Sequence, residues 1–115
     1  MMKDDRYEAV IKLTYKCENE KFFGPGIAEL LELVEKSASL KEACREMGLS
    51  YSKGRGIIKK AEAMLGFPLL TKQHGGLGGG ASSLTEEGSV LLRNYRLLEE
   101  DVRRYAKKRF QEVNG

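Results

Sequence analysis

Ser50, Tyr51, Ser52, Lys53, Arg55, Lys59 and Lys60 fall within one short stretch, which gathers hydroxyl and cationic donors at helical spacing. Such donors are what phosphate oxygens and base edges accept from. A second group follows, Lys72, Gln73 and His74, running into Gly75, Gly76, Gly78, Gly79 and Gly80. Glycines let main-chain amides approach phosphates without side-chain obstruction. Both groups suit a polyanion better than a reaction. His74 is the one histidine, and Cys17 and Cys44 form no CxxC, so a zinc site of the usual Cys/His type is excluded. The two thiols are expected to be reduced and structural. A lone histidine on a glycine loop leaves no nucleophile–base pair, and no carboxylate pair is marked out by spacing. No catalytic residue, metal or cofactor is therefore expected. A GxxxxGK[ST] loop is absent, and the near match to GxGxxG at Gly76, Gly78 and Ala81 leads into serines rather than a helix.

Charge points the same way. The chain carries net +3, from 20 basic and 17 acidic side chains. Residues 45–80 hold Arg45, Lys53, Arg55, Lys59, Lys60 and Lys72 against Glu46 and Glu62, so the positive field concentrates mid-chain. At 115 residues, 41% apolar and 32% charged, the chain suits one soluble domain, 1–115, with a core, wing and hairpin over 1–84 and a terminal helix over 85–113. The longest apolar runs are a few residues, so no transmembrane helix is expected. The opening MMKDDRYEAV lacks the apolar core of a secretory signal, and a cytoplasmic setting is expected.

The elements that must position these groups are legible from local signals. Alternation in YEAVIKLTYK predicts a strand over 7–16, and Lys21, Phe22 and Phe23 a return strand after the polar turn at Glu18–Glu20. Pro25 opens a helix with Ile27, Leu30, Leu31, Leu33 and Val34 as its apolar stripe, ending near Ser37. Ser39 and Glu42 match a capping box, and Leu40, Ala43, Cys44 and Met47 form the inward face of a short helix ending at Gly48. Ser50 caps the next helix, expected to run to about Leu65 with Ile57, Ile58, Ala61, Met64 and Leu65 inward. Leu69–Thr71 and Leu84 predict short strands around the glycine tract, a wing-like hairpin. Thr85 caps a long helix with Glu86 and Glu87 in its first turn.

Residues 39–60 thus have the parts of a helix-turn-helix, with the cations on the outer face of the second helix. The same residues also suit an αα-corner with a solvated charged face, and the glycine tip also suits a plain connector. GLSYS at 48–52, the tip GGLGGG and LTEEG at 84–88 resemble, in order and spacing, the N-terminal winged-helix domain of ModE-type molybdate-responsive regulators. That domain is itself similar to the DNA-binding domain of LysR-type regulators. The resemblance covers about residues 22–110. It implies an α+β, mainly α, winged helix-turn-helix with an N-terminal β-hairpin, a Gly-rich wing and a long C-terminal dimerisation helix. It also implies a transcriptional regulator that binds double-stranded DNA, with the second helix in the major groove and the wing on the backbone.

Two departures qualify it. Relatives usually carry alanine and a bulky aromatic where this chain has Gly54 and Arg55, and Gly56 follows. Each glycine costs about 1 kcal/mol in a helix interior, which predicts a helix frayed until DNA orders it, or one that reads other bases. The chain stops at 115, so no molybdate site is expected in it. The competing reading is a winged helix that dimerises and docks another regulator without touching DNA.

Leu91, Tyr95, Leu98, Val102 and Tyr105 recur at heptad-like spacing, the expected seam of a homodimer. Val90, Leu92 and Leu97 form a second apolar edge that suits packing on the chain's own core. Arg103, Arg104, Lys107, Lys108 and Arg109 suit either flanking DNA or a solvated helix end.

Overall fold

Two turn residues with left-handed backbone, Glu18 and Asn19 (φ 48° and 70°), reverse the chain early and set the first element pair. The computed structural model describes residues 2–71 and 81–115. Strand β1 (Tyr15–Cys17) pairs antiparallel with β2 (Glu20–Phe23), and helices α1 (Pro25–Ser37), α2 (Leu40–Glu46), α3 (Tyr51–Leu65) and α4 (Glu86–Asn114) follow. The architecture is mainly α, an α+β winged helix. The strand expected over 7–16 is confined to its last residues. Its return partner has four residues, and residues 7–12 stay exposed with no sheet neighbour for their alternation to serve.

Helix α1 forms as expected, with Pro25 in its first turn, and buries Ile27, Ala28, Leu30, Leu31 and Val34; Leu33 is half-buried. Ala38 ends it in the left-handed region (φ 57°), and its carbonyl accepts from the Ser82 amide at 2.8 Å. Half of the capping box is made. Ser39 Oγ accepts from the Glu42 amide (3.0 Å), but the Glu42 carboxylate turns to Arg45 (2.9 Å) because Ser37 Oγ already accepts from the Ser39 amide. Gly48 takes φ 70°, a turn a side chain would strain, and the Leu49 amide closes it onto the Cys44 carbonyl at 2.9 Å.

Helix α3 is continuous from Tyr51 to Leu65 rather than frayed. Gly54 explains part of this. It is buried, and an added Cβ would fall on Cys44 Sγ, so the glycine lets α2 and α3 close on each other. Burial pushes the Cys44 thiol pKa up, as suits an inert packing group. Ile58 and Ala61 join Gly54 in the core, Met64 and Leu65 are half-buried, and Ile57, expected inward, is 37% exposed. Turning 100° per residue, Ile57 lies at the rim of the face that Gly54, Ile58 and Ala61 define.

The two feet of the expected wing are joined. Leu70 bridges Leu84, the Thr71 amide bonds the Ser83 carbonyl (2.9 Å), and Glu62 Oε2 accepts from the Leu69 amide (2.7 Å). Thr85 then does double duty, donating to the Pro68 carbonyl (2.7 Å) and accepting from the Gly88 amide (2.9 Å). Gly88 packs so tightly that an added Cβ would lie 2.5 Å from the Leu69 carbonyl oxygen.

Helix α4 corrects the expected seam. Tyr95 is fully buried, donates its hydroxyl to the Leu13 carbonyl (2.8 Å) and meets Tyr15 and Phe23 edge-on, so it belongs to the core. Leu92 is buried beside it, whereas Val90 and Leu97, expected to pack inward, are exposed. The heptad pattern placed the helix correctly but rotated it. The side that carries Gly88, Leu92, Tyr95 and Glu99 faces the core, and Leu91 and Val102 are half-buried at its margin. Arg96 grips the Glu32 carboxylate with Nε and Nη2 and reaches Glu99 Oε1 at 2.9 Å, fixing α4 across α1. These pairs hold the Arg96 guanidinium pKa above its ordinary value.

Candidate nucleic-acid interface

Ser50 Oγ accepts from the Lys53 amide at 3.1 Å, so the hydroxyl fixes where α3 begins. No acidic residue lies in the first turn of α3. The positive end of the helix dipole therefore stays open to an external anion. With Gly54, Ile58 and Ala61 turned to the core, Tyr51, Ser52, Lys53, Arg55, Gly56, Ile57, Lys59 and Lys60 are all exposed.

These side chains do not share one line. At 100° per residue, Ser52, Gly56, Lys59 and Ala63 run along the centre of the face opposite the core. Arg55 flanks that line on one side, one turn from Lys59, while Lys53 and Lys60 flank it on the other. Tyr51 sits at the edge nearest the helix start. Lys60 Nζ lies 3.5 Å from Glu20 Oε2, so the β1–β2 turn holds it at the rim. Lys53, Arg55 and Lys59 have no carboxylate partner among the described residues. The face therefore presents three uncompensated cations, Lys59 on the central line beside Gly56 and Arg55 and Lys53 on either flank.

Lys72, Gln73, His74, Gly75, Gly76, Gly78, Gly79 and Gly80 lie outside the described residues. The described residues on either side of them are joined by the Leu70–Leu84 bridge and the Thr71–Ser83 hydroxyl pair at 2.8 Å. Among the described residues, no group of His, Cys, Asp or Glu is assembled to hold a metal, and no helix is long and apolar enough to cross a membrane. Cys17 is exposed and Cys44 buried, and neither is in a disulfide.

Sequence reading missed three contributors to this face. Gly56 is a helix-propensity cost when read alone, yet its spacing from Ser52 and Lys59 marks it as the outward centre. Ile57, expected inward, joins the rim because Gly54 takes the contact with α2 and turns the helix about its axis. Glu20, whose carboxylate restrains Lys60, leaves no local trace because the contact joins distant elements.

The helices, the turn and the Leu70–Leu84 bridge define a winged helix-turn-helix. No family model matches the chain. It is 31% identical over 91 residues to the DNA-binding transcriptional dual regulator ModE of Escherichia coli K12, covering 79% of this chain and 35% of that protein. It is 30% identical over 89 residues to the transcriptional regulator ModE of Haemophilus influenzae, covering 77% and 35%. Molybdenum-pterin-binding protein MopB of Rhodobacter capsulatus is 33% identical over 73 residues, covering 64% and 27%. The chain is thus homologous to the N-terminal region of ModE transcriptional regulators and spans about a third of their length.

Proposed function

We propose that this chain is a sequence-specific, duplex-DNA-binding transcriptional regulator module that works as a homodimer and performs no catalysis. The observation that carries the reading is the outer face of α3, where Lys53, Arg55 and Lys59 have no carboxylate partner among the described residues and stand beside a helix start free of acidic groups. The naming of the ModE relatives as DNA-binding and transcriptional regulators supports it. In this reading α3 enters the major groove, and the amides of Tyr51 and Ser52 meet a phosphate at its mouth. Lys72 to Gly80 lie along the sugar-phosphate backbone. Residues 1–115 act as one winged-helix unit.

Dimerisation uses the exposed side of α4. Leu98 and Tyr105 are 43% and 66% exposed, and Leu91 lies one heptad before Leu98. Val90 and Leu97 extend the same side, while Tyr95 is spent on the core and Val102 lies at its margin. Pairing doubles the cationic contacts and matches two half-sites.

The test is selection of bound duplexes from a random pool, followed by titration over a salt series. A palindromic site is expected, and a log affinity that falls linearly against log salt with a slope of several units. No measurable binding to any duplex at low salt would overturn the reading in favour of docking on another regulator.

A further inference from the structure

The two glycines inside α3 are held there for different reasons, and only one reason lies within the chain. Gly54 is demanded by packing, since an added Cβ would fall on Cys44 Sγ. Gly56 has no such reason. A Cβ there would meet no atom within 4 Å, and its backbone is helical, unlike the left-handed Gly48 and Gly66. Apart from proline, glycine is the least favourable residue for a helix interior. Neither folding nor packing accounts for it.

Its place does. Gly56 sits on the outward centre of α3, between Ser52 and Lys59, with Arg55 on one flank and Lys53 and Lys60 on the other. We propose that Gly56 is a specificity-determining position. Its missing side chain lets the α3 backbone seat against base-pair edges on the major-groove floor, so that Lys59, one turn along the same line, and Arg55 on its flank reach their acceptors. A helix with its side chains nearly fills a groove about 12 Å wide. A central side chain therefore sets how deep the axis goes. The bulkiest group beneath such a position is the thymine C5-methyl, and an added Cβ competes for its space.

This inference rests on the duplex-binding reading, and the experiment separates the two. Gly56→Ala and Gly56→Leu are titrated against the duplex selected by the wild type and against random duplex of equal length at low salt. Thermal unfolding is followed in parallel. The expected result is a loss of about tenfold for alanine at the selected site and more for leucine, the scale of a lost base contact. Random-duplex binding stays within about twofold, and both variants melt higher than wild type because their helix propensity improves. Selected-site affinity equal to wild type overturns the proposal, because the centre of the face then tolerates bulk. Equal losses on both duplexes, or a lower melting temperature, also overturn it, since the effect is then general or structural. If wild type binds neither duplex, the duplex-binding reading falls and takes this inference with it.

Discussion

Helices α3 and α4 are both basic and both opened by a hydroxyl cap, yet α4 pairs most of its arginines with its own acids and α3 pairs few of its cations. In α4, Arg96, Arg103, Arg104 and Arg109 each lie within 3.4 Å of a carboxylate, mostly one turn away on the same helix, while Arg93, Lys107 and Lys108 have no carboxylate partner among the described residues. Its first turn carries Glu86 and Glu87, which answer the dipole from within. In α3 the first turn has no acid, and Lys53, Arg55 and Lys59 have no carboxylate partner among the described residues. Unpaired cations are therefore found on both helices, and what sets α3 apart is that its own stand beside a helix start with no acid to answer the dipole. Intrahelical pairs need a carboxylate three or four positions away. α4 supplies Glu99, Glu100, Asp101 and Glu112, whereas Glu62, the acid of α3, is engaged with the Leu69 amide.

The strongest way to break that contrast is to remove the uncompensated charge. Replacing Lys53, Arg55 and Lys59 together by alanine should weaken binding to the selected duplex by about 3 kcal/mol or more, at least ~100-fold. The log–log salt slope should fall by about 1 for each of the three that meets a phosphate, while the melting temperature stays near wild type. Fluorescence polarisation over a salt series reads both quantities. An unchanged slope would place the DNA on some other surface.

The next contrast concerns glycines that packing demands. Gly88→Ala meets a backbone carbonyl that cannot rotate away, so overpacking should cost about 1–3 kcal/mol in urea unfolding. Gly54→Ala meets the movable Cys44 Sγ and should cost less, and Cys44→Ala should restore the loss in the double variant. A double variant no more stable than Gly54→Ala would show that the thiol is not the obstacle.

A smaller effect is expected where α1 turns into α2. Ala38 holds φ 57° without glycine's freedom, and Ala38→Gly should stabilise the fold by about 1 kcal/mol, seen as a melting temperature a few degrees higher. The Ser82 amide still finds the residue 38 carbonyl, so no bond is lost.

Local signals made the centre of the molecule legible and left its edges obscure. Ser39, Gly48 and Ser50 act on their own neighbours, so the α2–turn–α3 unit could be read from sequence almost to the residue. Tyr95 could not. Heptad spacing tells which residues share a side of a helix, not which side the core takes, and the deciding bond runs to Leu13, distant in sequence. The alternation over 7–16 predicted a long strand, but alternation has consequences only where a partner strand exists, and β2 supplies four residues. In α3 the cations were assigned outward correctly. Their division into two flanks around Gly56 was hidden because Gly54 reads as a helix breaker until Cys44 is seen against it.

The smallest expected effect is the sharpest test of the contrast. Arg104→Ala and Arg109→Ala each remove a well-exposed guanidinium whose acidic partner stays in water, so no buried charge is orphaned. Such surface pairs contribute roughly 0–1 kcal/mol. Each variant should therefore unfold within about 0.5 kcal/mol of wild type. If the compensated charges of α4 take no part in binding, duplex affinity should also change by less than about twofold, against about tenfold for Arg55→Ala. Should Arg109→Ala weaken binding as much as Arg55→Ala does, Glu112 must release its arginine when DNA arrives. The far end of α4 would then belong to the DNA surface, and internal pairing would no longer mark a cation as uninvolved.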